Sequence, residues 1–237
     1  MNNLIQRWEQ AQNYEKNWWA NKAPEIDLEF YERFAKEIEK LILPFAKINE
    51  KTKILEIGSG AAGIITYLDS KNKFAIDPLE DFFSSVEKFS EIRDKRVVYK
   101  KGMAENLPFE KVFFDLIIID NVLDHCNDPK LVLAEMNRVL KSGGIVFFRQ
   151  NTYHFWGKFI RGLIELFRID KGHPHTFSKS ELKKMFAEKS LDVVYYKESG
   201  YYNTWIKEIK SKRIYDKIKA LIFATRDKTT FILKKLV

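Results

Sequence analysis

Apolar positions recur at helical spacing through the first fifty residues and at strand spacing after them. Residues 3–21 and 28–43 each present one apolar face, the second through Leu28, Tyr31, Phe34, Ile38 and Leu41, with Pro44 ending it. From residue 53, short apolar runs at 53–57, 74–77, 97–100, 113–120 and 145–150 alternate with amphipathic segments at 62–69, 80–90 and 130–140. Strands that alternate with helices predict βαβ units and a parallel sheet. The run Leu116-Ile117-Ile118-Ile119 is apolar on both faces, which places its strand in the middle of that sheet.

Beyond residue 150 the pattern predicts helices at 153–168 and 179–189, a strand at 191–197, helical chain over 203–225 and a strand at 229–236, the two strands pairing antiparallel. Within 203–225, Trp205, Ile206 and Ile209 share one face, whereas Ile214, Ile218 and Leu221 share another, turned by about 120° at 3.6 residues per turn. One straight helix cannot bury both, so a bend is expected near Ser211.

Composition narrows the class without changing this outline. The 237 residues suit one large domain, and with only 6 Pro and 10 Gly they leave little room for a disordered tail. Cys126 has no partner for a disulfide, and the start Met1 to Glu9 lacks the apolar core of a secretory signal, so a reducing, cytoplasmic setting is expected. The net charge of +8 is uneven: residues 1–150 hold 22 Lys/Arg against 24 Asp/Glu, and residues 151–237 hold 19 against 9. Such an excess suits self-solvating helices, a nucleic acid, an anionic membrane or an acidic substrate.

The segment Glu56-Ile57-Gly58-Ser59-Gly60-Ala61-Ala62-Gly63 leaves a strand for a helix with glycines in the spacing GxGxxG, which lets backbone approach a ligand closely. Nineteen residues past Gly58, Asp77 ends the second strand, where a carboxylate can accept both hydroxyl hydrogens of a ribose. The glycines alone fit a dinucleotide equally well. Glu56 decides against one, because a carboxylate at the strand mouth repels a pyrophosphate but favours the ammonium of an amino-acid nucleoside such as S-adenosylmethionine (SAM).

Glu56-x-Gly58-x-Gly60 followed by Asp77 resembles the first two motifs of class I SAM-dependent methyltransferases. Gly102-Met103-Ala104-Glu105 resembles their adenine-binding loop, Phe114 to Pro129 their fourth strand and its loop, and Leu133 to Val146 their next helix, turn and strand. The likeness is nearest to the ubiquinone-biosynthesis-like, small-molecule branch. It implies an α/β, Rossmann-like, doubly wound sheet of seven strands, mostly parallel with an antiparallel last strand. Residues 1–50 would form an N-terminal helical cap, 51–150 the SAM-binding core, and 151–237 acceptor-side helices and the final strands.

Carried over by position, Glu56, Gly58, Ser59 and Gly60 border the methionine moiety, Asp77 the ribose, Pro78, Leu79, Met103 and Ala104 the adenine, and Asn121 and Val122 the sulfonium. Met103 stands where relatives often place an acid for the adenine amino group, which leaves packing and the Ala104 N–H to hold the ring. His125 and His175 are candidate bases, and Tyr153, His173 and His175 candidate acceptor contacts. Asp120 and Asp124 are minor candidates. No metal is expected, because His173 and His175 have no Cys, His or carboxylate partners at ligand spacing. Tyr14, Trp18 and Trp19 can close over the cofactor as a lid. The acceptor is expected to be a small molecule taking the methyl on O or N. An RNA acceptor for the basic third, a peripheral membrane contact and a non-catalytic binding role are the competing possibilities.

Overall fold

The computed structural model describes residues 2–22, 26–166 and 172–236, the side chains of residues 2–5 and 22 excepted. Two helices, α1 (Asn2–Lys22) and α2 (Leu28–Ile42), precede a sheet of β1 (Lys53–Ile57), β2 (Asn72–Asp77), β3 (Val97–Lys101), β4 (Phe114–Asp120), β5 (Leu140–Thr152), β6 (Leu191–Glu198) and β7 (Asp227–Lys235). Its helices are α3 (Glu80–Ser85), α4 (Glu87–Ile92), α5 (Pro129–Val139), α6 (Phe155–Leu166), α7 (Lys179–Ala187), α8 (Tyr201–Ile209) and α9 (Ile214–Leu221).

The strand order is β3-β2-β1-β4-β5-β7-β6, with β7 antiparallel to both neighbours and the first five strands parallel. The chain runs outward from β1 to β3, then returns to β4 on the other side of β1. The connections therefore diverge above β1 and β4, opening the crevice in which sheets of this kind take ligands.

Side chains alternate across the sheet. Leu55, Ile57, Ile117, Ile119 and Phe148 pack beneath α5 and α7, against Val132, Met136, Leu182 and Phe186. Ile54, Leu116, Ile118 and Phe147 point to the opposite face, beneath Phe34, Ile38 and Ile42 of α2. Each such side chain contributes about 1.5–3 kcal/mol by leaving water. Asp128 caps α5 by accepting from the Lys130 and Leu131 N–H groups, with Pro129 in its first turn, and Ser178 and Glu181 form a capping box on α7.

Three expectations need correction. The helix read at 62–69 is a single 3-10 turn, Ile64–Tyr67, because Gly63 has φ 73 and the Glu56 carboxylate takes up the first two N–H groups of the turn. The helix read at 80–90 splits into α3 and α4 where Val86 is extended at φ −96 and ψ 109. β5 starts at Leu140 and is thus longer than 145–150, with a register shift opposite Phe114 and Leu116. The end of the helix read at 153–168 lies outside the described residues. The bend near Ser211 is present between α8 and α9; its hydroxyl accepts from the Arg213 N–H and donates to Asp216.

Candidate active site

Gly58, Gly60 and Gly63 all sit at positive φ, 71, 59 and 73, where a side chain would strain the backbone. A Cβ on Gly58 would lie 2.3 Å from the Val122 Cγ2, and one on Gly60 would lie 3.0 Å from the Trp19 Cζ2. The loop is therefore bare backbone, a floor that a ligand can touch. Arg93 fixes it from beneath: its Nε donates to the Ala61 carbonyl at 2.7 Å and its Nη2 to the Gly60 carbonyl at 3.0 Å, while a bidentate pair with buried Glu80 holds the guanidinium. Sequence reading missed Arg93, since a single arginine after an amphipathic segment carries no spacing signal.

Asp77 ends β2 on the wall of the crevice. Its Oδ2 accepts from the Gly60 N–H at 3.0 Å and its Oδ1 from the Leu79 N–H at 2.9 Å. Burial raises its pKa to about 6 against the pull of those two bonds, with Glu80 and Glu15 adding repulsion. Glu56 behaves differently from the expectation that it borders an ammonium. Its carboxylate turns back under the loop to accept from Ile64 and Ile65, and burial pushes its pKa up to about 8. It holds the turn, because two unsatisfied N–H groups lie nearer than the crevice. Ser59 is likewise buried behind the floor.

A cavity of about 350 Å³ stands on this floor, within the range of small-molecule sites. Gly58, Gly60, Asp77, Pro78, Leu79, Met103, Ala104, Asn121 and Val122 line it, as do Ile76 and Phe83. α1 lies across the top, contributing Trp8, Trp18 and Trp19. Trp19 meets Phe83 and Phe89 edge-on at 5.7 and 6.4 Å. At its other end α1 is tied to α6 by Arg7, whose Nε and Nη2 donate to Glu165 at 2.7 and 2.9 Å. A bare floor, a buried carboxylate on the wall and apolar side chains around them fit a nucleoside bearing an amino-acid arm.

The loop after β4 separates this cavity from a second one of about 540 Å³. His125 and Cys126 line the first, and Asp124, with Tyr14, Tyr153, Arg161, His173 and His175, lines the second. Asn121, at φ 56, is locked into the bend by its N–H to the Arg149 carbonyl and by its Oδ1 accepting from the Asn151 N–H. Asp120 forms a bidentate pair with Arg149 at 2.6 Å and so is committed elsewhere. Asp124 is not. It is buried, and among the described residues its Oδ1 accepts no hydrogen bond; the His125 Nε2 stands 3.8 Å from it.

The His125 and His173 rings stand 4.6 Å apart, and the His175 N–H donates to the Asp124 carbonyl. The expectation that these histidines lack ligand-type partners therefore holds only along the chain: folding gathers Asp124, His125 and His173 with such atoms within 4.8 Å of one another. His154 lies apart, bonded to the Phe223 carbonyl. Burial raises the Cys126 thiol pKa, which makes it a poor nucleophile. Burial likewise raises the Tyr153 phenol, which keeps it a neutral donor.

Comparison with known proteins bears on this geometry. A methyltransferase-domain family model matches residues 55–148. An uncharacterized protein of Methanocaldococcus jannaschii is 28% identical over 186 residues, covering 78% of this chain and 71% of its own length. A ubiquinone biosynthesis O-methyltransferase of Bartonella quintana is 26% identical over 65% of this chain, which spans 64% of that protein. Among solved structures, a geranyl diphosphate C-methyltransferase from Streptomyces coelicolor, in complex with Mg2+, geranyl diphosphate and S-adenosyl-L-homocysteine, is similar with a TM-score of 0.65. The identity there is 14%, over 86% of this chain and 80% of that one, a likeness of fold.

Proposed function

We propose that this chain is a class I SAM-dependent methyltransferase, the reading that the methyltransferase-domain match over residues 55–148 supports, and that it methylates an O or N atom of a small molecule seated in the second cavity. The observation that carries this reading is Asp124: a buried carboxylate oxygen without a donor among the described residues, on the loop between the two cavities. An unsatisfied buried carboxylate is costly, and an acceptor O–H or N–H supplies what it lacks.

The bound cofactor supplies an electrophilic methyl on a sulfonium that leaves as a neutral thioether. The chain's own groups do the rest. The glycine floor and Asp77 bind the amino-acid arm and ribose, Met103 and Ala104 flank the base, and Val122 and Asn121 line the same cavity on the side of the β4 loop, where the sulfonium is to face the acceptor. α1 excludes water from above. Asp124 orients the acceptor's proton and, with His125 beside it, receives that proton as the acceptor lone pair forms the new bond.

The test uses methyl-labelled SAM with panels of hydroxyl and amine acceptors. Asp124→Asn is expected to lower kcat by about 10²–10⁴-fold while S-adenosylhomocysteine affinity is unchanged. Unaltered turnover in that variant removes Asp124 from the chemistry, and absence of label transfer to every small acceptor argues against the reading itself.

A further inference from the structure

α6 is amphipathic in the inverted sense. It buries Gly157 and Arg161 and turns Phe155, Phe159, Leu163 and Leu166 outward, the first and last 88% and 73% exposed. Those positions are four, four and three residues apart, so they form one stripe along the helix. Arg161 points inward, toward the Tyr153 ring and the second cavity. α9 repeats the pattern with Ile214, Ile218 and Leu221, of which the first and last are 76% and 72% exposed. The two helices are neighbours, because the Trp156 Nε1 donates to the Ile222 carbonyl at 2.8 Å. Trp205 of α8 stacks on exposed Phe223 at the same seam. The apolar side chains thus belong to one surface, which distinguishes them from the scattered single residues of an ordinary exterior.

Charge says what covers it. Lys207, Lys210, Lys212, Arg213 and Lys217 are exposed, and none is in an ion pair among the described residues. The acids of α8 and α9, Glu208 and Asp216, are both taken by Lys219, at 2.8 and 3.0 Å. Lys217 lies about 60° from the Ile214–Leu221 stripe at 100° per residue, flanking it. A second copy of the chain would set these cations against their own kind, and a nucleic acid has no use for an aliphatic stripe. Apolar side chains flanked by unpaired cations match the boundary between acyl chains and anionic headgroups.

We propose that the outer faces of α6 and α9, with the cations of α8 and the α8–α9 turn, seat this protein on an anionic lipid bilayer. The inner faces of α6 and α9 contribute Arg161, Ile164, Tyr215 and Lys219 to the second cavity, which places that cavity about one helix diameter, ~10 Å, from the lipid. The proposal stands independently of methyl transfer.

Co-sedimentation of the full chain with phosphatidylcholine vesicles, with and without phosphatidylglycerol, tests it. Binding is expected only to the anionic vesicles and is expected to weaken as salt rises. Lys210→Glu with Lys217→Glu lowers partitioning by roughly fivefold or more for each residue. Leu166→Ser with Ile214→Ser lowers it while S-adenosylhomocysteine affinity is kept, which shows an intact fold. Three results overturn the proposal: no difference between neutral and anionic vesicles, RNA binding without vesicle binding, or a dimer that dissociates in the Leu166→Ser, Ile214→Ser variant while vesicles are ignored.

Discussion

Asp77 shows what a single residue contributes and what titrating it costs. Burial raises its carboxyl to about 6, so at neutral pH the free site holds an ionised group with only two N–H donors. For a raised acid, the stability it lends is full below the unfolded value and is lost as pH rises through the folded one. In the proposed function, ribose hydroxyls are to bond the ionised form and offset that loss. Cofactor affinity is therefore expected to be level above about pH 6 and to fall toward tenfold per unit below it. Titration calorimetry between pH 5 and 7 checks this. Asp77→Asn removes the slope and weakens binding by about ten- to a hundredfold, as for loss of hydrogen bonds to a charged group; a slope that survives in the variant belongs to another residue. Asp77 and the glycines were legible in the sequence because their backbone roles tie them to fixed positions. Glu56 was legible as a motif but misread in direction, since its nearest unmet donors, on Ile64 and Ile65, exist only once the turn has formed. What now singles out Asp124, a minor candidate in the sequence, is the absence of a donor among the described residues, which no spacing encodes.

At the scale of elements, α1 is the part that roofs the first cavity. It spans from the Arg7–Glu165 pair on α6 to Trp19 on the glycine floor, so it can leave only by breaking both ends. Edge-to-face pairs such as Trp19 with Phe83 and Phe89 contribute about 0.5–1.5 kcal/mol each. Trp19→Ala is thus expected to speed release of S-adenosylhomocysteine by about ten- to a hundredfold with little change in its association rate. Stopped-flow fluorescence reads both rates, and an unaltered release rate removes α1 as a roof. The helices of the C-terminal third were legible as apolar periods, and the change of face at Ser211 marked the break. Periodicity could not say which face of α6 turns inward: Arg161 on the buried side reverses the usual assignment. The 3-10 turn was read as a helix because Ala61 to Tyr67 is apolar enough for either, and Gly63 with Glu56 decides between them.

The whole molecule is a device for bringing loops together. Parallel strands carry the first three connections to one edge of the sheet, and the return to β4 places the glycine floor, Asp77, the Met103 loop and Val122 around one hollow. That much followed from the order of strands and motifs. Of the neighbouring hollow, Tyr153, His173 and His175 were named from the sequence, but its remaining walls come from α1, the β4 loop, β5, α6, α8 and α9, segments joined only by tertiary contact. The most direct test of the account is a hydrogen-exchange map of the full chain with and without S-adenosylhomocysteine. Protection is predicted at 58–63, 76–79, 102–105 and 121–123 and along α1, with β6, β7 and α7 unaffected. Protection confined to other segments, or none at saturating ligand, would contradict it.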